Sequence, residues 1–236
     1  VMHVEQHGLD VVSVSNHILE RRKHMKLRIK FAKYGALKFI GHLDVMRFFQ
    51  KAVRRADIDI AYTGGFSPHQ IMSFAAPLGV GLESNGEYMD IEVNSVTSSK
   101  DMLEVLNRQM VEGIHVLEVK MLPDDAGNAM ASVAAAAYSI GFRQGYEPDF
   151  DYRKALRAFY EQPEIIVTKK TKRSEATFDM KPYIYECTTG EDGRIHLTVD
   201  ASSSGNIKPS LVINAFYEQN GATLDEIALL ITREET

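Results

Sequence analysis

Residues 26–56 read KLRIKFAKYGALKFIGHLDVMRFFQKAVRRA, and they carry the strongest evidence on fold class because their periodicity changes partway along. From Lys26 to Lys33 apolar and basic residues alternate, which predicts a strand with one buried face and one basic face. From His42 to Ala56 apolar residues recur at helical spacing, which predicts an amphipathic helix. A turn around Gly35 joins the two elements. The stretch therefore predicts a protein that mixes strands and helices.

The rest of the first half continues this alternation. We predict strands at 58–62, 87–93 and 114–122, and a helix at 100–110 with Ser99 as its N-cap. The resulting order is strand, helix, strand, loop, strand, helix, strand. That order is typical of a ferredoxin-like α/β sandwich, in which two helices cover one face of an antiparallel sheet.

The second half repeats the same kind of pattern after a Pro-, Asp-, Gly- and Ala-rich stretch at 123–130. We therefore predict an α+β protein with two ferredoxin-like units in tandem, at 25–125 and 126–236, built on mostly antiparallel sheets. Residues 1–24 are expected to be a leader or linker outside the fold. The predicted elements of the second half are strands at 132–142, 165–169, 177–188 and 195–200, helices at 152–160 and 209–219, and a last helical segment capped by Thr223.

The segment from Gly64 to Gly81, GGFSPHQIMSFAAPLGVG, is the leading candidate for a site. Its glycines permit unusual backbone angles and its prolines restrict the chain, so we expect a shaped loop. Loops on a rigid scaffold often carry function. We expect Phe66 and Phe74 to anchor this loop to the core, and Phe66, Ser67 and His69 to meet the substrate.

Charge is distributed unevenly along the chain. Twelve of its 27 basic residues lie between Arg21 and Arg55, together with one of its 32 acidic residues, Asp44. Such a basic region indicates a surface for an anion, most often nucleic acid, although a solvated face is the plain alternative. A second basic run begins at Lys169, and it indicates either a phosphate-binding patch or a charged hairpin tip. The candidate RNA-binding residues are Arg47, Lys51, Arg54 and Arg55 in the first helix, and Lys169, Lys170, Lys172 and Lys181 in the second run.

Two histidines are the candidates for acid–base chemistry, His69 in the loop and His42 at the start of the first helix. Sequence spacing does not show whether they meet, and each is equally compatible with a structural role. The carboxylates that follow the loop are Glu83, Glu87, Asp90 and Glu92. Paired carboxylates are able to hold magnesium or do acid–base work, but alternation puts Asp90 and Glu92 on one strand face, which we expect to face solvent. The sequence contains no phosphate-binding loop, dinucleotide fingerprint or nucleophile elbow.

The single cysteine, Cys187, excludes an internal disulfide and any iron–sulfur cluster held by this chain alone. We predict no cofactor and no metal site. No apolar run reaches membrane-spanning length, so the expected location is the cytoplasm, without a membrane.

Three stretches together resemble one bacterial family. They are MKLRIKFAKYGALKFIGHLD at 25–44, the GFSPH, FAAPLGVG and GEYMD motifs within 61–90, and VTKKTKRSEATFDMKPYI at 167–184. The combination resembles the radical SAM-linked domain of unknown function 2344 (DUF2344). Gln70 and Lys181 depart from the family pattern, which often has proline and arginine there, and Lys181 lacks the planar fork of arginine.

The resemblance implies a partner protein with radical SAM and cobalamin-type domains, and a genetic context of ribosome-related genes. It implies no catalytic residues. Two hypotheses follow. The chain is an accessory module that presents an RNA, such as tRNA or rRNA, or a protein substrate to that partner. Alternatively, it is a stand-alone, metal-independent RNA-processing or RNA-modifying enzyme that uses His69.

Overall fold

The computed structural model describes residues 24–170, 175–203, 205–225 and 227–236, and over these residues the chain forms ten strands and five α-helices. The predicted leader lies outside the described residues except for His24. The strands are β1 (Met25–Lys33), β2 (Met72–Phe74), β3 (Glu83–Val93), β4 (Ile114–Met121), β5 (Ala135–Phe142), β6 (Ile166–Lys170), β7 (Glu175–Asp179), β8 (Ile184–Thr189), β9 (Ile195–Asp200) and β10 (Leu229–Glu235). The helices are α1 (His42–Arg55), α2 (Ser99–Asn107), α3 (Ala129–Ser132), α4 (Tyr152–Tyr160) and α5 (Pro209–Gln219).

Eight strands form one main sheet in the order β4-β1-β3-β10-β5-β9-β8, with β2 paired to β3. Every pairing in this sheet is antiparallel except that of β10 with β3. Strands β6 and β7 form a separate antiparallel pair. The prediction of a mixed α and β protein with mostly antiparallel pairing is confirmed. The sharing of one sheet by both halves was not predicted.

The two halves use their own strands in the same spatial order. The first half is ordered β4-β1-β3-β2, and the second is ordered β10-β5-β9-β8. If the four strands of each half are numbered along the chain, both orders read fourth, first, third, second. The β6–β7 pair comes between α4 and β8 in the second half.

Strand β10 joins the halves, because it pairs antiparallel with β5 and parallel with β3. The approach to β3 is close. A Cβ on Gly86 would lie 2.6 Å from the carbonyl oxygen of Glu234, so the junction requires glycine there. The predicted last helix after Thr223 is therefore wrong. Capping residues predicted a helix start, but the apolar residues that follow form β10, which lies between β3 and β5 in the sheet.

Each half buries its own apolar core between helices and the main sheet. In the first half, Phe49 of α1 is fully buried and its ring centroid lies 4.7 Å from that of Phe31 in β1. In the second half, Phe216 of α5 is fully buried and its ring contacts Phe159 of α4. Burying one such side chain stabilises the fold by about 2–3 kcal/mol. These cores fix α1 and α5, which carry the surfaces described below.

Local sequence patterns predicted most elements well, and they failed where pairing is short or interrupted. The predicted helices at 152–160 and 209–219 coincide with α4 and α5. The predicted strand at 58–62 is reduced to isolated bridges at Ile60 and Tyr62. The predicted strand at 177–188 is broken by a 3₁₀ turn, so its two parts pair with different neighbours.

The N-cap of α2 is Ser98, one residue before the predicted Ser99, and its side chain accepts a hydrogen bond from the amide of Asp101.

Within the described part of the chain, no helix is both long and apolar enough to cross a membrane.

Candidate functional site

The glycine-rich segment divides into an exposed part, residues 62–70, which we call the loop tip, and a second part, residues 75–82, which we call the cleft wall. The loop tip is closed at its base by a bridge between Tyr62 and Gln70 and by a 2.9 Å bond from the amide of Thr63 to the carbonyl of His69. Gly65 has φ +99°, a conformation that favours glycine and allows the tight turn.

The loop tip lies against α1. The side-chain amide of Gln70 is buried and donates to the carbonyl oxygen of Gln50 at 3.3 Å. Phe66, at the end of the tip, is fully exposed, so the prediction that it anchors the loop is wrong. Phe74 is buried and packs on Phe31 and Phe49, as predicted. The loop tip therefore presents the ring of Phe66 to solvent, while Gln70 attaches the base of the tip to α1.

The neighbouring face of α1 is basic and exposed. Arg47 makes a 3.4 Å ion pair with Asp44 at the surface, and Arg54 donates to the carbonyl of Gln50. Lys51 is exposed, and no contact within the described residues holds its ammonium group. Arg55 is the exception, since its guanidinium donates to both the side chain and the carbonyl of Gln109. Arg47, Lys51 and Arg54 are therefore exposed cations on α1, the helix to which Gln70 attaches the loop tip.

The two candidate catalytic histidines make separate contacts. The Nδ1 atom of His69 lies 3.1 Å from the hydroxyl of Thr63, and the amide of His69 also donates to this hydroxyl. The ring of His42 packs edge-on against Phe74, with centroids 5.0 Å apart. His42 begins α1, about 12 Å along the helix from Gln50, where the loop tip is attached. Among the described residues no hydrogen bond or ring contact joins the two histidines.

The second predicted basic patch is only partly described. Lys169 and Lys170 lie in β6, and Lys172 lies outside the described residues. The ammonium of Lys181 donates to the carbonyl of Tyr160 and lies 3.5 Å from the centroid of its ring. Lys181 thus links α4 to the turn before β8. Because its ammonium group is engaged with Tyr160, it is poorly placed to bind an external anion.

The structure contains buried charged groups that the sequence analysis missed. Asp90 is buried and accepts two hydrogen bonds from Arg28, at 2.8 and 3.0 Å. This hydrogen bonding raises the pKa of Arg28. Arg28 also donates to Gly127 and Ser132, because the predicted boundary segment folds back over this face of β1 and β3. The prediction that Asp90 faces solvent is therefore wrong.

A second buried group lies where β10 meets β3. Glu87 and Arg233 are both buried, and Arg233 Nε donates to Glu87 Oε1 at 2.9 Å. Arg233 Nη2 also donates to the carbonyl of Ala76 in the cleft wall, at 2.6 Å. Lys33 is buried nearby, and burial lowers its pKa while Glu87 opposes that shift. Alternation in β3 indicated which of its residues lie on the same face of the sheet. It did not identify the partner of Glu87, because Arg233 is 146 residues away along the chain.

A cleft of about 920 Å³ lies between the cleft wall and the second half of the chain. Arg233 and Tyr138 line it from the main sheet, and the start of α5 contributes Lys208 and Ser210. No group of three or more His, Cys, Asp or Glu side chains within the described ranges is arranged to hold a metal ion.

These features define an α+β protein with a mostly antiparallel sheet, an exposed basic and aromatic surface, and a separate cleft. Residues 26–209 match the family model DUF2344, described as an uncharacterized protein conserved in bacteria, and the chain belongs to this family. No curated protein matches the chain. The family description names no activity, so the radical SAM-type partner stays a prediction.

Proposed function

We propose that this protein is an accessory module that binds single-stranded RNA, from a tRNA or rRNA, and presents it to a partner enzyme. The observation that carries the proposal is the fully exposed ring of Phe66 on a loop tip fastened to the basic face of α1. An aromatic ring kept in solvent provides a stacking platform for a base, and nearby cations contact the phosphates.

Three cations are placed for this role, Arg47, Lys51 and Arg54. They recur at spacings of four and three residues, so they lie along one side of α1. The anchor between Gln70 and Gln50 brings the loop tip to the same part of the helix. This attachment supports the proposal that one strand of RNA meets both the exposed ring and the cations. Family resemblance supports a radical SAM protein with a cobalamin-type domain as the partner.

The shared strand order of the two halves supports a tandem pair of ferredoxin-like units, divided near residue 125. This architecture occurs with many functions, so it supports the fold interpretation and adds nothing to the choice of ligand. The alternative, an RNA-processing enzyme that uses His69, has weaker support because the contacts of His69 described above are to Thr63.

Fluorescence anisotropy with a labelled single-stranded RNA of about 12 nucleotides tests the proposal, since sites of this kind cover about 4–16 nucleotides. We expect binding that weakens as salt is raised. Phe66→Ala should weaken binding by about 1–3 kcal/mol, or roughly 5- to 150-fold, because one stacked base is lost. The unfolding free energy should change by less than about 0.5 kcal/mol, because the ring of Phe66 is fully exposed.

Tyr146→Ala is the matched control, because Tyr146 is an exposed aromatic residue of the second half. It should leave RNA affinity unchanged. The proposal fails if the wild-type protein shows no salt-dependent RNA binding, or if the two aromatic substitutions have equal effects.

A further inference from the structure

The cleft between the halves has the dimensions of a small-molecule site. Its volume of about 920 Å³ lies in the range of about 300–1,000 Å³ that is usual for ligand pockets. One side is the cleft wall, where Pro77 and Gly79 shape the backbone, and the other is the loop before α5 and the start of that helix. Such sites often form where two structural units meet.

The charge of the lining favours an anion. Two cations, Arg233 and Lys208, line the cleft, and none of its described lining residues is acidic. The guanidinium of Arg233 donates through Nε and Nη2 to Glu87 and Ala76, and it also interacts with the hydroxyl of Tyr138, which lines the same cleft. Behind Arg233, the buried Lys33 interacts with both Glu87 and Arg233, and burial lowers its pKa.

Neutral donors and apolar side chains complete the lining. Ser210 and Asn214 lie four residues apart on α5, and Tyr138 lies beside Arg233. Burial raises the pKa of Tyr138, so its hydroxyl stays neutral and is able to donate. The apolar part of the lining includes Leu78, Val80, Leu82, Leu224, Leu229 and Ile231.

We propose that this cleft binds a small organic anion, with its carboxylate, sulfonate or phosphate group toward Arg233 and Lys208 and its apolar body against the leucine and isoleucine side chains. A buried guanidinium, a second cation at the rim and an apolar lining without acids recognise that combination of groups. The inference does not rest on RNA binding, because the loop tip and the basic face of α1 take no part in this cleft.

The test uses two probes with the same aromatic body. 8-Anilinonaphthalene-1-sulfonate carries a sulfonate, and N-phenyl-1-naphthylamine lacks it. Titrations followed by fluorescence should show one site on the folded protein that prefers the sulfonate probe by about tenfold or more. Lys208→Gln should weaken the sulfonate probe about threefold and leave the neutral probe unchanged, because Lys208 is at the exposed rim.

Asn214→Trp should block the cleft and weaken both probes by about tenfold or more, since a bulky ring then occupies part of the lining. Glu218→Trp is the matched control, because Glu218 is exposed one turn further along α5 and does not line the cleft. It should change neither titration. Equal affinity for the two probes overturns the proposal, and so does binding that Asn214→Trp leaves intact. Both surface substitutions are compatible with the helix, and circular dichroism checks that they fold.

Discussion

The loop tip and the cleft wall are neighbours in sequence, yet different forces govern them. The loop tip keeps Phe66, Ser67 and His69 in solvent and is held by a few hydrogen bonds to Thr63 and Gln50. The cleft wall is tied by Ala76 to the buried pair of Arg233 and Glu87, which also joins the two halves of the sheet. Glycine and proline therefore indicate that a segment has an irregular backbone. Its burial decides whether the segment stabilises the fold or is exposed to a ligand. Substitutions should separate these roles.

The largest effect is expected at the buried pair. Arg233→Met should lower the free energy of unfolding by about 3–5 kcal/mol, because Glu87 is left buried without its partner. Urea unfolding measures this loss. The double variant Arg233→Met with Glu87→Leu is the control, and it should recover part of the stability because the ion pair is removed as a whole, while buried Lys33 keeps its bonds to the carbonyls of Lys38 and Ile40 but loses the nearby carboxylate. A single-variant loss below about 1 kcal/mol would show that the pair does not hold the halves together.

A smaller and pH-dependent effect is expected at the end of β10. Glu235 accepts a 2.6 Å bond from Lys30 and a bond from the hydroxyl of Tyr88. Burial alone would raise its pKa, but these hydrogen bonds outweigh burial and lower the pKa from its ordinary value of 4.5. A lowered folded-state pKa stabilises the protein above pH 4.5, and the gain is lost as the pH falls through the folded-state pKa.

Glu235→Gln should therefore cost about 1 kcal/mol near pH 7, since the ion pair is partly exposed. The difference from wild type should shrink steadily as the medium becomes acidic. Urea unfolding at several pH values measures it. Glu234→Gln, at the exposed neighbouring residue bonded by Asn85, serves as the control and should cost less. A cost for Glu235→Gln that does not depend on pH would contradict this interpretation of the Lys30 contact.

Sequence predicted the helices well because their evidence is local. The buried stripes of α1 and α4 are complete within each segment, so periodicity located them, and Pro209 with Gly221 marked the two ends of α5. Strand β10 was mistaken for a helix because Thr223 and Asp225 resemble a helix start. The side chain of Asp225 instead accepts a hydrogen bond from Ile227 in the turn before β10. Its strand conformation depends on pairing with β3 and β5, which are far away in sequence.

The candidate site shows the same division. Composition predicted a shaped loop at 64–81, whereas the structure holds an exposed loop tip there, followed by strand β2 and the partly buried cleft wall. It did not distinguish Phe66 from Phe74, because both are phenylalanines in one loop and only tertiary packing buries the second. Arg233 and Glu87 were also beyond the reach of pattern analysis. Residues 229–235 begin with an apolar run, but the sequence around Arg233 does not indicate that Glu87 lies beside it on the neighbouring strand.

The central claim is that the basic face of α1, together with the loop tip, binds RNA. The most direct measurement is the salt dependence of RNA affinity for the triple variant Arg47→Gln, Lys51→Gln and Arg54→Gln. The matched control removes three exposed basic residues from α4, with Arg153→Gln, Lys154→Gln and Arg157→Gln. We expect the α1 variant to lose about tenfold or more in affinity at low salt, and its slope against the logarithm of salt concentration to decrease by about 2. The α4 variant should match the wild type. Equal slopes for all three proteins would contradict the claim.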